Sequence, residues 1–365
     1  HRPRTGARAG AGAEGAAGRV GASEGGSTAA GSVLPVTDLG AWTTLGLGGP
    51  AGRVVEARSS DELVAAAGDP AALLLAGGSN VVIADEGFGG TVVRVLTTGV
   101  RERGDVLVVA AGESWDAFVE RCVADGRAGV ECLAGIPGSV GATPIQNVGA
   151  YGQEVAETIV AVRALDRASG DVRDLAPGEC GFGYRTSRFK HADAGRFAVL
   201  SVAYRLPRSD RPGPIRYAEL ARTLGVPVGA SAPIAEVREA VLGLRRDKGM
   251  VLDAADPDTR SAGSFFTNPI LDVSALPEGA PAWPEPDGRV KTSAAWLIER
   301  AGFARGEGDP AGIAISTKHV LALTNRGDGT AAELLAFARR IAARVDARFG
   351  ITLHPEPVFV GLPWP

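Results

Sequence analysis

The sequence predicts an α+β fold in two folded halves, and three observations carry that prediction. Short β-branched runs such as Arg53-Val54-Val55-Glu56-Ala57 read as strands. Between and after them lie segments with helical apolar spacing and recognisable capping residues. A Pro-rich link from Pro207 to Pro214 then separates a strand-rich part from a helix-rich part.

Composition narrows the class. At 365 residues the chain has room for two or three domains of about 150 residues each. A formal net charge of −4 gives no basic field for nucleic acid or acidic lipid. Three cysteines, Cys122, Cys132 and Cys180, without CxxC spacing fit a reducing compartment, and four scattered histidines give no metal site. Residues 1–32 are mostly Gly and Ala and are expected to be disordered, with no apolar core of a secretory signal behind their arginines. No apolar run of about 18 residues occurs, so no membrane span is expected. The expectation is a monomeric cytoplasmic protein.

In chain order, Ser59-Ser60-Asp61-Glu62 opens a helix after the first strand, and Ala72-Leu73-Leu74-Leu75-Ala76 is a second strand running into Gly77-Gly78-Ser79-Asn80. Bare amides and a hydroxyl there suit a phosphate, and a hairpin turn is the plain alternative. Val81-Val82-Ile83, residues 90–95 and Val106-Leu107-Val108-Val109-Ala110 continue the strands. Ser114 caps a helix with Trp115, Phe118, Val119, Cys122 and Val123 on one face, which makes Cys122 a core residue. Gly46-Leu47-Gly48-Gly49-Pro50-Ala51 imitates a dinucleotide fingerprint, but Pro50 and a strand pattern follow where a helix is required. Residues 159–165 and 172–175 form a hairpin around Ala168-Ser169-Gly170-Asp171, and 197–204 is a further strand. Helices are expected at 231–248, 292–301 and 330–349, the last with a Thr330/Glu333 capping box and Gly350 at its end. Ile351-Thr352-Leu353 is expected to be a final strand leading into Pro355-Glu356-Pro357.

The stretch from Ala134 to Gly152 holds Gly135, Gly138, Gly141, Gly149 and Gly152 with Pro137 and Pro144, a pattern that forbids one regular helix or strand. Its amides, with Ser139, Thr143, Gln146 and Asn147, can face a ligand at close range, so it reads as a cradle or else as a long structural loop. Three clusters stand apart from scaffold. Tyr184-Arg185-Thr186-Ser187-Arg188-Phe189-Lys190 offers arginine to a carboxylate or phosphate, against a solvated cationic loop. Ser264, in Gly263-Ser264-Phe265-Phe266, has a shielded hydroxyl able to donate a proton, against a purely structural serine. Glu356 between two prolines is rigidly aimed, against an edge charge that discourages strand pairing.

In register, these stretches resemble the UDP-N-acetylenolpyruvoylglucosamine reductase family. The likeness runs from about Thr43 to Val360 through Thr43-Thr44-Leu45-Gly46-Leu47-Gly48-Gly49, Ala76-Gly77-Gly78-Ser79-Asn80, the cradle, Gly183-Tyr184-Arg185-Thr186-Ser187-Arg188-Phe189-Lys190, Gly263-Ser264-Phe265-Phe266-Thr267-Asn268-Pro269, Ala295-Trp296-Leu297-Ile298-Glu299 and Pro355-Glu356-Pro357.

The resemblance implies an FAD-binding domain of the vanillyl-alcohol-oxidase (PCMH) type over residues 33–210, in two α+β subdomains. It further implies a smaller α+β substrate-binding domain over 211–350, and a C-terminal strand in 351–365 that returns to the FAD-binding half. Gly77, Gly78, Ser79 and Asn80, with Ile136, Pro137, Gly138, Ser139, Gly141, Ala142, Thr143, Gln146, Asn147 and Gly149, would line non-covalent FAD. Arg185, Ser264 and Glu356 would be catalytic. Tyr184, Tyr217, Lys248 and Asn268 would bind the UDP-sugar, Tyr217 as the substrate-loop tyrosine of the family's first type. The implied reaction passes hydride from NADPH through the flavin to the enolpyruvyl β-carbon, yielding UDP-N-acetylmuramate for peptidoglycan. Arg185 would stabilise the developing charge, Glu356 would orient the carboxylate and Ser264 would protonate the α-carbon. Because cradle glycines would let amides reach the cofactor, Gly141→Val is expected to cost flavin before fold. The other readings are an alcohol-oxidase-like FAD enzyme on the same fold and a non-catalytic UDP-sugar-binding module. The first commonly holds flavin through histidine, which Gly77-Gly78-Ser79-Asn80 lacks.

Overall fold

The structure, a computed structural model, describes residues 32–34 and 37–364. The expected disorder of residues 1–32 therefore lies almost wholly outside the described residues. The first part of the chain contributes β1 (Ser32–Leu34), β2 (Ala51–Ala57), α1 (Ser60–Ala67), β3 (Leu73–Leu75), β4 (Val81–Ile83), β5 (Phe88–Val95), β6 (Val100–Arg103), β7 (Val106–Ala110) and α2 (Trp115–Ala124). After the cradle come β8 (Gly149–Ala150), β9 (Gln153–Glu154), β10 (Ile159–Asp166), β11 (Val172–Leu175) and β12 (Phe197–Arg205). Two sheets result. One runs β1-β2-β5-β3, with β2, β5 and β3 parallel, and the other runs β11-β10-β12-β7-β6, antiparallel throughout. The expected hairpin is present, Leu165 pairing with Val172 around a left-handed Gly170.

The chain continues with α3 (Ala218–Leu224), α4 (Ile234–Asp247), β13 (Ser261–Ser264), β14 (Ile270–Leu271), β15 (Ala282–Pro284), β16 (Val290–Thr292), α5 (Ala294–Arg300), β17 (Ile313–Ile315), β18 (Ala322–Asn325), α6 (Ala331–Phe349) and β19 (Val358–Val360). The three expected helices are α4, α5 and α6. The capping box of α6 is formed by Thr330 and Glu333, and Gly350 ends it in the left-handed conformation. Two antiparallel sheets, β13-β18-β17 and β14-β16-β15, were not foreseen, because strands of two to four residues are too short to show alternation. Ile351–Leu353 lies outside any strand. The last ladder is β19, which pairs in parallel with β4, Val358 against Val81 and Val360 against Ile83.

Burial decides which parts hold together. The stripe Trp115, Phe118, Val119 and Cys122 on α2 packs with Tyr204 in the largest core, and all five are at most 3% exposed. That core does not stop at the Pro-rich link: Ile215 and Leu220, then Val237, Val241 and Leu242 of α4, belong to it. A second core joins Phe265 and Phe266 to α5 and α6 and takes in Leu45, Leu47 and Val82 from the first part of the chain. The strand pairing of β19 with β4 and these shared apolar residues tie the two parts together beside the cradle. The Gly46–Ala51 segment leads into β2, as its Pro50 requires. No helix among the described residues is long and apolar enough to cross a membrane, and among them no group of three or more His, Cys, Asp and Glu is placed to hold a metal.

Candidate active site

Gly77-Gly78-Ser79-Asn80 is not a hairpin turn, since β3 pairs with β5 whereas β4 pairs with β19. Gly78 has φ +58, and a Cβ there would stand 1.8 Å from the Trp42 carbonyl, so only glycine fits. Among the described residues the four amides of this loop donate no hydrogen bond. Unbonded, clustered N–H groups form an anion-binding surface. The loop lies against the cradle: a Cβ on Gly77 would meet Gly138 Cα at 2.6 Å, and Ser79 Oγ donates to the Pro137 carbonyl at 3.0 Å. Asn80 Nδ2 donates to Gln146 Oε1 at 2.5 Å and to the Glu356 carbonyl at 3.4 Å.

The cradle is pinned from behind. Val140 N donates to Glu113 O at 2.9 Å, Gly141 N to Ala111 O at 2.8 Å and Ala142 N to Ser139 O at 3.0 Å, while the Gly138 carbonyl accepts from Trp115 N. A Cβ on Gly141 would stand 2.5 Å from Ala111 Cβ. The glycine thus allows close approach to the end of β7, and its amide is already engaged, so Gly141→Val would press on Ala111 as well as on the cradle. Thr143 Oγ1 meets Tyr204 OH at 2.6 Å in the interior. Asn147, 1% exposed, donates to Glu154 and to the Gly183 carbonyl. Gly141, Thr143 and Asn147 therefore shape the cradle from within. Ile136, Ser79, Asn80 and Gln146 remain part-exposed along it.

Opposite stands the charged cluster. Arg185 is left-handed, φ +53, and its Nη2 donates to the Gly149 carbonyl at 2.5 Å. Its Nε lies 3.6 Å from Glu356 Oε1. Lys190 Nζ donates to the Glu356 carbonyl at 3.0 Å. Burial pushes the Glu356 carboxyl above its ordinary value despite Arg185 and Lys190, and burial pushes the Lys190 ammonium down. Ser264 is brought in by the backbone. Phe265 N donates to Leu321 O at 2.7 Å, and Glu356 N donates to Phe265 O at 2.8 Å, so the serine and the glutamate sit on adjoining segments. Ser264 Oγ has no protein hydrogen-bond partner among the described residues.

The remaining expected residues fall into two neighbouring groups. Tyr184, whose phenol is pushed up by burial, has Lys291 Nζ 4.6 Å from its ring centroid and the backbone N–H of Asn268 facing its hydroxyl. Asn268 Oδ1 accepts from Ala294 N at the start of α5. Tyr217, 43% exposed, packs edge-on against Tyr151 at 5.4 Å. Lys248 pairs with Glu219 at 2.7 Å, and its Nζ lies 5.6 Å from the Tyr151 ring. Lys248 and Arg305 also act on His319, which burial first and these cations next push down to about 4. Sequence reasoning did not single out Tyr151, Lys190, Glu219 or Lys291 as site residues. The Lys190 signal was present, one turn of loop beyond Arg185, whereas Glu219 and Lys291 become neighbours only in the fold. Asn147, Tyr151 and Arg185 are the three non-glycine residues with positive φ among those described, and all three are here. Concentrated backbone strain of this kind marks functional sites.

The comparisons with known proteins agree with this geometry. The family model described as "UDP-N-acetylenolpyruvoylglucosamine reductase, C-terminal domain" matches residues 256–360, and one described as "FAD binding domain" matches residues 51–176. The UDP-N-acetylenolpyruvoylglucosamine reductase of Thermobifida fusca is 56% identical over 354 residues, covering 90% of this chain and 97% of its own length. That of Streptomyces coelicolor is 54% identical over 341 residues, covering 88% of each chain. The crystal structure of the corresponding enzyme from Thermus caldophilus aligns with a TM-score of 0.63 at 25% identity, over 89% of this chain and 98% of that one. The expected α+β fold with an FAD-binding domain is thus present. At such identity and coverage, the chain belongs to the UDP-N-acetylenolpyruvoylglucosamine reductase family.

Proposed function

We propose that this protein uses FAD and NADPH to reduce the enolpyruvyl group of UDP-N-acetylglucosamine enolpyruvate, giving UDP-N-acetylmuramate for peptidoglycan in the cytoplasm. One observation carries the reading. Asn80, at the end of the loop with four unbonded amides, donates to the backbone of Glu356, whose side chain faces Arg185. An anion-binding loop thereby abuts a carboxylate and guanidinium pair beside the Ser264 hydroxyl.

The residues present fit FAD. The open amides of Gly77 to Asn80 suit its pyrophosphate, and the Gly77 and Gly138 approach leaves a surface that side chains would fill. Bound there, FAD would accept hydride from NADPH and supply it to the enolpyruvyl β-carbon. The chain's own groups do the rest. Arg185, anchored on Gly149, binds the substrate carboxylate and disperses the charge that grows on it and on the α-carbon. Glu356 orients that carboxylate through Arg185. Ser264, with no competing hydrogen-bond partner among the described residues, gives its proton to the α-carbon; a hydroxyl is a weak acid, but the carbanion-like centre is a strong base. Lys248, Asn268 and Tyr217 hold the sugar diphosphate, with Tyr184 beside Arg185. Substrate binding proposed across residues 211–350 would involve α3 and α4, even though both share the first core.

The test is anaerobic. NADPH is expected to bleach the flavin of the purified protein, and the enolpyruvyl UDP-sugar, but not UDP-N-acetylglucosamine, is expected to restore its colour. Restoration by neither compound, or rapid bleaching by a simple alcohol, overturns the reading.

A further inference from the structure

Two of the three proposed catalytic side chains, Ser264 at the end of β13 and Glu356 just before β19, lie on adjoining segments. β13 ends at Ser264 with a break in register between Ser261 and Ser264, where Gly263 turns left-handed at φ +72. Beyond that point the Ser264 strand is held by one bond to Leu321 and, on its other edge, by the segment around Glu356. Phe266 bridges Pro355, Glu356 N donates to Phe265 O, and Thr267 N donates to His354 O. Glu356 in turn is followed by β19, which among the described residues pairs with β4 alone.

What closes this arrangement is the chain after β19. Gly361, at φ +75, reverses direction with its backbone close against Ala84: a Cβ there would stand 2.9 Å from Ala84 Cβ. Arg339 of α6 donates to the Pro363 carbonyl at 2.7 Å. The reversal brings the Trp364 ring onto Phe359, stacked at 5.8 Å and 25°. The same ring reaches Phe265 at 6.5 Å and Phe266 at 6.1 Å, the two residues directly after Ser264. Phe265 and Phe266 are 1% and 2% exposed, so this aromatic packing is dense and resists sliding.

We propose that Trp364 is a positioning residue, which clamps the Ser264 strand to the Glu356 segment and so fixes proton donor and carboxylate relative to each other. It touches neither substrate nor cofactor; it acts through Phe265, Phe266 and Phe359. The proposal rests on the roles given above to Ser264 and Glu356. It distinguishes the two halves of the reaction, because these residues serve reduction of the enolpyruvyl group and not reduction of the flavin by NADPH.

The experiment is stopped-flow on Trp364→Ala and Trp364→Phe holoprotein beside the wild type, with each half-reaction followed separately. The expected result for Trp364→Ala is full flavin content, flavin reduction by NADPH within about twofold of wild type, and reoxidation by the enolpyruvyl UDP-sugar slowed about tenfold or more, as loosened geometry at reacting groups costs. Trp364→Phe, which keeps a ring against Phe359, is expected to recover most of that loss. Equal slowing of both half-reactions, no slowing of either, or failure of phenylalanine to rescue overturns the proposal. Should the alanine variant lose its flavin, Arg339→Gln releases the Pro363 carbonyl from the exposed face of α6 and is read in the same way: selective slowing of reoxidation supports the clamp and wild-type rates overturn it. A wild-type flavin that the substrate reoxidises normally, together with an unimpaired Trp364→Ala, refutes the clamp alone. A wild-type flavin that the substrate does not reoxidise refutes the proposed function and the clamp with it.

Discussion

Arg185 and Glu356 form an ion pair of 3.6 Å, Nε to Oε1, with side chains only 23% and 15% exposed. The pair is unequal, because burial raises the Glu356 carboxyl while Arg185 and Lys190 only partly offset it. A carboxyl raised above its unfolded value stabilises the fold fully at pH below that value, near 4.5, and the contribution is lost as pH climbs through the folded pKa. Glu356→Gln is therefore expected to flatten the pH dependence of flavin-free stability above pH 4.5 while slowing substrate reduction by about 10²-fold or more. Urea titrations between pH 4 and 8, paired with stopped-flow reoxidation, check both parts. A steeper pH profile in the glutamine variant would contradict the assignment.

Arg185→Lys keeps the charge and removes the fork. Arg185 holds the Gly149 carbonyl with one nitrogen while another faces Glu356, which a single ammonium cannot do at once. Its left-handed backbone, φ +53, further fixes where the side chain starts. Reoxidation by the enolpyruvyl substrate is expected to slow about 10²-fold, with flavin reduction by NADPH near wild type. Loss of flavin from the lysine variant would instead make Arg185 a part of the cofactor cradle.

How much of this was legible depended on whether the signal was local. β10, joined to β11 through the turn residues Ala168 to Asp171, and α6, with its capping box and terminal glycine, announce themselves because turns and helix caps are written in neighbouring residues. β17 and β18 do not, since three or four buried residues carry no period. The site divides similarly. The unusual density of glycine and proline marked the cradle, but not that Gly141 packs against Ala111, which only the fold reveals. Glu219 sits at the start of α3, a helix the sequence did not announce, and only the fold sets it 2.7 Å from Lys248. Tyr151 carries no sequence sign of its strained φ of +49, or of the ring contacts it makes with Tyr217 and Lys248.

His319 should govern stability on the acid side. Burial, then Lys248 and Arg305, push its imidazole down to about 4, with Glu219 acting the other way. A basic group with a lowered folded pKa contributes stability that is complete above its unfolded value, near 6.5, and is lost as pH falls toward 4. The loss is expected to reach at most about 3 kcal/mol at pH 4, and His319→Gln should remove most of it. Chemical denaturation of both proteins at pH 7 and pH 4.5 measures the difference. Parallel losses in the two would show that His319 is not the group responsible.

Gly141→Val should damage fold and cofactor together. The new Cβ would overlap Ala111, at 2.5 Å from its Cβ and 2.9 Å from its Cα, where both chains are buried and backbone must move. Overpacking of this sort costs about 1–3 kcal/mol. The displaced segment is the one that faces Gly77 to Asn80 through Gly138, so flavin affinity is expected to fall in step. Denaturation of the flavin-free protein separates the effects: unchanged stability with lost flavin would mean that the cradle yields locally and the glycine serves the ligand directly.

Ser264→Ala gives the sharpest test of proton donation. The Ser264 hydroxyl makes no hydrogen bond to any described residue, so its removal leaves no buried group unpaired and should barely change stability. The backbone bonds that place it, Phe265 N to Leu321 O and Glu356 N to Phe265 O, do not involve the side chain and persist in the variant. Flavin content and flavin reduction by NADPH are therefore expected to match wild type, whereas reoxidation by the enolpyruvyl UDP-sugar should slow by about 10²- to 10⁴-fold, the range for losing a positioned general acid. Because the missing step is a proton transfer, reoxidation that still occurs in the alanine variant should depend on water, with a larger solvent isotope effect than in the wild type. Stopped-flow in H2O and D2O reads both quantities. A variant that reoxidises at the wild-type rate would show that the α-carbon takes its proton from another group, and Lys190 or Tyr184 would then be the residues to examine.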